Sequence, residues 1–330
     1  LTFVINTHRF LLDRHAWTAT ATFGPDGLKS LSKVDAEQDQ WAGRFGRHHR
    51  SSVEKNPRIL VVYAGPSNRA AKLVELYRKN LEFFMRHGIE CDTQDTVIAI
   101  GHEFYDDYVR EVNELNRRCR REVILISRRD VCYDMEAARL AIYGGVHGID
   151  VRSYDYFVFA NCGLTGPAPR ASANDEPWTS RFIDLLDDKV KMTGLVLNCD
   201  PPHNAHIMSM AYALDREGID IVLGSGAIFD CLDPPNNDFI NSYERKMGKA
   251  LLAAGYALRP IIGREMILSD ENREDCKPCT ATEQKFAAAS CQMRARYRDV
   301  WIESRLREIY DGRIPSLEET VFFKTSRVFP

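Results

Sequence analysis

The sequence predicts an α/β protein built on a Rossmann-related, mainly parallel sheet flanked by helices, with a C-terminal helical extension. Short apolar segments alternate with longer amphipathic segments between residues 58 and 262. The apolar run 154–160 stops abruptly on a polar, glycine-containing turn, as a strand buried on both faces does. The 330 residues, 44% of them hydrophobic and 28% charged, have the composition of an ordinary globular protein.

Strands and helices are expected to alternate through the first half of the folded domain. The predicted strands cover residues 59–64, 96–100, 123–127 and 154–160. The predicted helices between them cover a segment that ends at Gly88, then 104–118 and 135–143. Because helices connect these strands, we expect the strands to run mainly parallel.

The second half is predicted to continue the pattern. A helix is expected to start at Pro177, with Trp178, Phe182 and Leu185 facing inward. A strand over 192–197, a helix over 206–217, a strand over 219–223, a helix over 239–254 and a strand over 256–262 should follow. Residues 1–57 lack sustained periodicity and are predicted to form an N-terminal extension or stem. Residues 58–265 form the predicted α/β domain, and 266–330 a loop and a long helix packed on it.

Composition excludes several classes of function. The formal net charge of -3 gives no electrostatic footprint for nucleic acid. No apolar run reaches the roughly 18 residues of a membrane span. The first strand is not followed by G-x-G-x-x-G or by a P-loop lysine motif, which argues against a dehydrogenase or P-loop NTPase. The nine cysteines are too few for a dense disulfide framework.

Polar residues that follow the predicted strands are the candidates for chemistry, because ligands bind beyond the carboxyl ends of strands in open α/β sheets. Asn161 either satisfies backbone groups in its turn or binds a ligand hydroxyl or a metal ion. Asp134 is either a helix cap or a contact to a ligand. Arg128 and Arg129 either pair with surface carboxylates or bind a diphosphate, the role for which Arg128 is favoured, because a guanidinium can bind two oxygens at once.

Later acids and histidines add to this set. Glu244 opens a predicted helix, where the helix dipole favours its ionised form; it is either a cap or a general base. His203 or His206 either starts a helix or contacts a metal or a ligand. Asp230, on a predicted loop, is either a solvated cap or a metal ligand.

Two segments resemble a GT-A glycosyltransferase. Residues 123–167 combine a charged loop, a helix and an apolar strand, with Asn161-Cys162-Gly163 where that fold usually carries Asp-x-Asp. Glu244 begins a segment that ends Gly255-Tyr256, like the helix that carries the catalytic base of inverting GT-A enzymes.

A closer resemblance, over roughly 58–262, is to a group of eukaryotic and viral glycosyltransferase-like proteins related to bacterial rhamnan-synthesis proteins. The segments that carry it, in order, are Tyr63-Ala64-Gly65, NLEFF at 80–84, HGI at 87–89, 128–134, 154–167, Trp178 with Phe182, Asn198-Cys199, HIMSM at 206–210, Glu244 and Gly255-Tyr256.

The resemblance implies transfer of a sugar from a nucleotide-diphosphate donor to a hydroxyl of a glycan or glycoconjugate, with inversion and with Glu244 as the base. The implied donor or nucleotide contacts are Tyr63, Ala64, Gly65, Arg128, Asp134, Asn161, Cys162 and Gly163, and the implied acceptor contacts are Trp178, His206 and Ser209. Mn²⁺ or Mg²⁺ would be held by Asn161, Asp230 and His206. The resemblance also implies the Golgi lumen of the secretory pathway, with a membrane anchor outside the given sequence.

Two other classes of function stay open. One is a non-catalytic module that binds a nucleotide or a glycan on the same fold but has lost Asp-x-Asp. The other is a different α/β transferase, such as a nucleotidyltransferase or a methyltransferase.

Overall fold

The structure is a computed structural model, and it describes residues 57–129, 131–143, 149–172, 175–198, 205–226, 243–261, 267–271 and 320–324. All of them belong to Arg50–Pro330, one of the two units into which the chain divides. The predicted N-terminal extension, apart from residue 57, and the predicted helix over 283–310 lie outside the described residues. Within the described residues, no helix combines the length and the apolar character needed to cross a membrane.

A seven-stranded sheet forms the centre of the domain. In chain order the strands are β1 Ile59–Ala64, β2 Gln94–Gly101, β3 Val123–Arg128, β4 Tyr156–Asn161, β5 Leu164–Thr165, β6 Val190–Gly194, β7 Leu197–Asn198, β8 His206–Ile207, β9 Ala211–Asp215, β10 Ala257–Pro260 and β11 Phe323–Lys324. The central sheet has the order β10-β6-β9-β4-β1-β2-β3. Strand β9 is antiparallel to both neighbours, and the other pairs are parallel. Strand β5 pairs with β11, and β7 pairs with β8.

Helices cover both faces of this sheet. They are α1 Val74–His87, α2 Tyr105–Arg118, α3 Tyr133–Tyr143, α4 Ser180–Ile183, α5 Arg216–Gly224 and α6 Arg245–Ala253. Alternate residues of β1 point to opposite sides: Val62 belongs to the core that also contains residues of α3, α5 and α6, whereas Val61 belongs to the core that contains residues of α1 and α2. The predicted α/β class, with a mainly parallel sheet between helices, is confirmed.

Two predicted elements are wrong. Residues 206–217 were expected to form a helix, but they form β8, a turn and β9; residues 219–223 were expected to form a strand, but they lie in α5. The apolar pattern of this region also fits a period of two. Tyr212 and Leu214 pack on one face of the sheet, and Ala211 and Ala213 pack on the other.

The end of β9 explains where the helix begins. The side chain of Asp215 accepts a hydrogen bond from the backbone N–H of Gly218 at 2.8 Å, so Asp215 is the N-cap of α5. Its other oxygen accepts a hydrogen bond from the buried Lys191 ammonium at 3.0 Å. A capping aspartate within the apolar run thus separates strand from helix.

Gly194 offers a test of the packing between β6 and β9. A Cβ at this position would lie 2.2 Å from Ile207 Cγ2 and 3.0 Å from the Ala211 carbonyl oxygen. We expect Gly194→Ala to lower the free energy of unfolding by about 1–3 kcal/mol, because the core must shift to admit the methyl group. Urea denaturation measures the change. In Gly224→Ala the added Cβ would have no described atom within 4 Å apart from its chain neighbours and the backbone of its own helix, so stability should be unchanged or higher. Equal losses in both variants would contradict the packing argument.

Candidate active site

The strand order changes direction at β1. The chain places β2 and β3 on one side of β1 and then β4 on the other, so the carboxyl ends of β1 and β4 flank the switch point where ligands bind in open α/β sheets. The turn after β4 is tied to β1 by a hydrogen bond from Cys162 N–H to the Ala64 carbonyl at 2.9 Å. Asn80 of α1 holds the same turn, because its side chain donates to the Cys162 carbonyl at 2.8 Å.

Asn161 and Asp134 meet at this edge, although 27 positions separate them. The amide nitrogen of Asn161 donates to Asp134 Oδ2 at 2.9 Å. The amide oxygen of Asn161 accepts from the N–H of Gly163 at 3.0 Å, which fixes the turn. The Asn161 side chain therefore stabilises its own turn and also binds the Asp134 carboxyl group of α3.

Ser209 joins Asp134 to Glu244. The backbone N–H and the hydroxyl of Ser209 both donate to Glu244 Oε1, the former at 3.0 Å. Ser209 Oγ also lies 3.4 Å from Asp134 Oδ2. On the other side of Glu244, the Nε2 atom of His206 lies 3.6 Å from Oε2. We call Asp134, Asn161, His206, Ser209 and Glu244 the acidic cluster.

The two carboxyl groups of the acidic cluster have pKa values shifted in opposite directions. Burial raises the pKa of Asp134 to about 6, and the Glu244 charge adds to this rise while the Asn161 hydrogen bond opposes it. Burial also raises the pKa of Glu244, but the His206 contact and the two Ser209 hydrogen bonds outweigh it, so the net pKa lies below its ordinary value. Pairs of titratable groups whose pKa values are pushed apart are typical of acid–base sites.

The shifted pKa of Asp134 predicts a pH-dependent stability. Its folded pKa of about 6 exceeds the ordinary 3.8, so between these values the folded protein binds more protons than the unfolded chain. The free energy of unfolding should therefore fall as pH rises through this window, by up to about 3 kcal/mol for this group. We expect Asp134→Asn to be more stable than the parent protein near neutral pH and to lose that advantage at about pH 4.

Urea denaturation at both pH values checks this result. Asp188→Asn, at an exposed position, is the control and should leave stability unchanged at each pH. A stability difference between Asp134→Asn and the parent that is the same at both pH values would contradict a penalty on the ionised carboxylate.

Tyr212 is a member of the site that sequence reasoning missed. Its ring stacks on Phe159, with centroids 4.7 Å apart, and it lines a small cavity of about 10 Å³ together with Asp134 and Ser209. Its hydroxyl is buried and has no hydrogen-bond partner among the described residues. The only signal in the sequence is a polar hydroxyl within an otherwise apolar strand.

Arg128 is buried rather than presented to a ligand. It is 5% exposed, and its guanidinium donates to the Gly65 carbonyl and the Tyr133 carbonyl, each at 2.9 Å. Glu136 Oε2 lies 4.0 Å from its Nη1 atom, and Glu136 also accepts from the backbone N–H of Arg129 and Val131. Arg128 therefore fastens the loop after β1 to the start of α3. The neighbouring Arg129 side chain is exposed.

Other predicted contacts lie apart from the acidic cluster. Tyr63 is fully buried and stacks on Phe84 at 4.0 Å between centroids, on the opposite face of the sheet. Trp178 is buried on that same face, and its indole N–H donates to the Gly88 carbonyl at 2.9 Å. In this structure neither side chain is accessible to a ligand. Ala64, Gly65, Cys162 and Gly163 contribute backbone groups at the edge beside Asn161.

The predicted metal ligands do not form a site in the part of the chain that the structure describes. No group of three or more His, Cys, Asp or Glu side chains is arranged there to hold a metal ion. Asn161 turns its amide nitrogen to Asp134, and His206 is buried against Glu244. Asp230 and His203 lie outside the described residues. Metal binding therefore stays a prediction, and we derive no step through a metal.

Comparisons with known proteins give structural similarity only. No protein-family model matches the sequence, and no curated protein matches it. Similar solved structures include the mannosyltransferase PcManGT from Pyrobaculum calidifontis in complex with GDP-Man and Mn²⁺ (TM-score 0.39, 11% identity, 71% of this chain and 62% of that chain). They also include the mannosyltransferase Ktr4p from S. cerevisiae (0.35, 9%, 67% and 75%) and apo mouse xyloside xylosyltransferase 1 (0.30, 11%, 60% and 82%). The chain thus spans less than two thirds of PcManGT. Similarities at this level do not assign an activity.

Proposed function

We propose that the protein is a glycosyltransferase that moves a sugar from a nucleotide-diphosphate donor to a hydroxyl of a glycan or glycoconjugate. The observation that carries the proposal is the acidic cluster at the carboxyl ends of β1 and β4. An ionised glutamate and an aspartate of raised pKa share one serine there, at the edge where this architecture places ligands. The sequence resemblance to GT-A enzymes points to the same residues.

In this proposal Glu244 is the general base. The acceptor oxygen attacks the anomeric carbon of the donor as the bond from that carbon to the diphosphate oxygen breaks, and Glu244 takes the acceptor proton. Ser209 and His206 hold the carboxylate in one orientation and keep it ionised. Because the attack and the departure occur on opposite sides of the carbon, the reaction inverts its configuration.

The remaining residues hold the donor. Asp134 and Asn161 would bind donor hydroxyl groups, while the backbone of Gly65 and Gly163 would line the path of the diphosphate. The exposed Arg129 is a better candidate than the buried Arg128 for contact with the departing diphosphate, because its guanidinium is not enclosed by the protein. The acceptor would approach from the side of His206.

One observation favours a second function. Glu244 is 6% exposed, and both of its oxygens contact groups of the protein itself. A carboxylate this enclosed suits a module that binds a nucleotide without turnover. Binding without transfer or hydrolysis would support that alternative.

A donor screen tests the proposal. Thermal unfolding of the full chain is measured with UDP-, GDP- and ADP-sugars, with and without Mn²⁺, and separately with S-adenosylmethionine and nucleoside triphosphates, the ligands of the alternative classes. We expect one class of nucleotide sugar to raise the unfolding temperature, and we expect that donor to be slowly hydrolysed in the same sample. Stabilisation by S-adenosylmethionine alone, or by a nucleoside triphosphate alone, would contradict the proposal.

A disulfide supports the proposed location in the secretory pathway. Cys91, after α1, is bonded to Cys119, at the end of α2. Disulfides of this kind persist in oxidising compartments and are rare in the cytosol. The Cys162 side chain is buried on the same face of the sheet as Tyr63 and Trp178.

A further inference from the structure

An exposed aromatic ring adjoins the acidic cluster. Tyr133 is 42% exposed, and among the described residues only Tyr143 and Ile267 are comparable large hydrophobic side chains at the surface. Tyr133 directly precedes Asp134 in the chain and begins α3. The start of α3 therefore carries an exposed ring directly beside Asp134 in the chain.

The backbone of Tyr133 is in a conformation that a tyrosine rarely adopts. Its φ of 56° lies in the left-handed region, where only one other described non-glycine residue, Val321, is found. The buried Arg128 donates to the Tyr133 carbonyl and holds it against the loop after β1. Unfavourable backbone conformations that the surroundings enforce are concentrated at ligand sites, so this outlier is grounds for a functional hypothesis.

The geometry points to Tyr133 as the stacking surface for the nucleobase of the donor; this inference rests on the proposed glycosyltransferase function. The contacts run from the buried Glu244 through Ser209 to Asp134, and the residue before Asp134 in the chain, Tyr133, carries an exposed ring. The anomeric carbon must lie at the Glu244 end, because the proton of the acceptor is removed there. The nucleoside is at the opposite end of the donor, so it meets Tyr133.

Aromatic side chains bind nucleobases through their faces, and this interaction does not need the tyrosine hydroxyl. The ring should therefore tolerate phenylalanine and should not tolerate loss of the aromatic group. The left-handed backbone adds a second criterion. Glycine adopts it without strain, whereas alanine does not, so Tyr133→Gly and Tyr133→Ala remove the same ring with different effects on stability.

The experiment measures binding to the full chain by calorimetry. UDP, GDP, CDP and ADP are first titrated into the parent protein, and the tightest of them is then used with Tyr133→Phe, Tyr133→Ala, Tyr133→Gly and Tyr143→Ala. Inorganic pyrophosphate is the probe without a base. Tyr143, exposed at the other end of α3, is the matched control.

We expect Tyr133→Ala and Tyr133→Gly to weaken nucleoside diphosphate binding about tenfold or more, while Tyr133→Phe and Tyr143→Ala stay close to the parent value. Pyrophosphate affinity should be the same in all of them, and Tyr133→Gly should unfold at a higher temperature than Tyr133→Ala.

Unchanged nucleoside diphosphate affinity in both ring deletions would overturn the inference and leave the proposed function standing. Equal losses for pyrophosphate would also overturn it, because they would assign a loop-positioning role to Tyr133. If the parent protein binds none of the four nucleotides, the proposed function fails as well.

Discussion

Replacing Glu244 with glutamine is expected to lower the rate of sugar transfer about 10²–10⁴-fold, the contribution that a positioned general base usually makes. Glutamine keeps the size of the side chain and an oxygen for the Ser209 hydrogen bonds, but it cannot take a proton from the acceptor. The affinity for the donor should change little, because in this proposal Glu244 acts on the acceptor. The predicted signature is thus a loss in kcat with a donor KM close to that of the parent protein.

Initial rates at saturating donor, with the nucleotide product measured, check this prediction. Glu90→Gln is the matched control, because Glu90 is also a buried glutamate that accepts hydrogen bonds, from the backbone N–H of Trp178 at 3.1 Å and from the Arg170 guanidinium at 3.3 Å. It lies among residues of the opposite face, so its variant should keep the turnover of the parent per folded molecule. A fully active Glu244→Gln would remove Glu244 as the base. If the parent binds donor without turnover, the enclosed Glu244 is better explained by the non-catalytic alternative.

The strands that flank the switch point were predictable because they carry strong local signals. β1 and β4 are continuous apolar runs that end on glycine- or asparagine-containing turns, and their parallel pairing follows from the helices between them. The sequence also predicted Asp134, Asn161 and Glu244 as candidates, since each follows a strand or begins a helix. Their contacts with one another depend on strand order, which local patterns do not encode.

The region from 206 to 224 shows where local patterns fail. Its apolar residues fit helical spacing nearly as well as strand spacing, and the choice is made by tertiary packing: β9 inserts between β4 and β6. Ser209 is consequently in the turn before β9 rather than on a helix, and this turn brings it to Glu244. Local patterns also do not show that Asn80 holds the turn after β4 or that Tyr212 lies beside Asp134 and Ser209, because both depend on the three-dimensional arrangement of the elements.

Arg128 is the residue for which sequence and structure predict different outcomes. The pattern of an arginine after a strand favours an exposed guanidinium that binds a diphosphate. In the structure the guanidinium is buried, bridges two carbonyl groups from different loops and lies near the Glu136 carboxylate. We therefore expect Arg128→Ala to lower the free energy of unfolding by about 3–5 kcal/mol. The variant leaves two carbonyl groups without their hydrogen-bond donor and the buried Glu136 carboxylate without the nearby positive charge.

Such a loss would be a large part of the 5–15 kcal/mol that usually stabilises a domain. Arg128→Lys should fall between the parent and Arg128→Ala, because one ammonium group does not reproduce the planar fork that spans both carbonyls. Arg110→Ala is the control: its guanidinium is 82% exposed and pairs with Glu111 at the surface, so its removal should cost at most about 1 kcal/mol. Urea denaturation at fixed pH gives all three values.

Nucleotide binding separates the two roles of Arg128. If the function of Arg128 is to bridge the Gly65 and Tyr133 carbonyls, Arg128→Ala loses stability. Its affinity for pyrophosphate, per folded molecule, then changes less than its affinity for the nucleoside diphosphate, because Tyr133 is no longer held in place to stack on the base. If Arg128 instead binds the diphosphate directly, stability stays near the parent value and both ligands weaken together. A stable Arg128→Ala variant with weakened pyrophosphate binding would therefore support direct binding of the diphosphate by Arg128, as the sequence pattern predicts. In that case the guanidinium would have to leave the Gly65 and Tyr133 carbonyls when the donor binds.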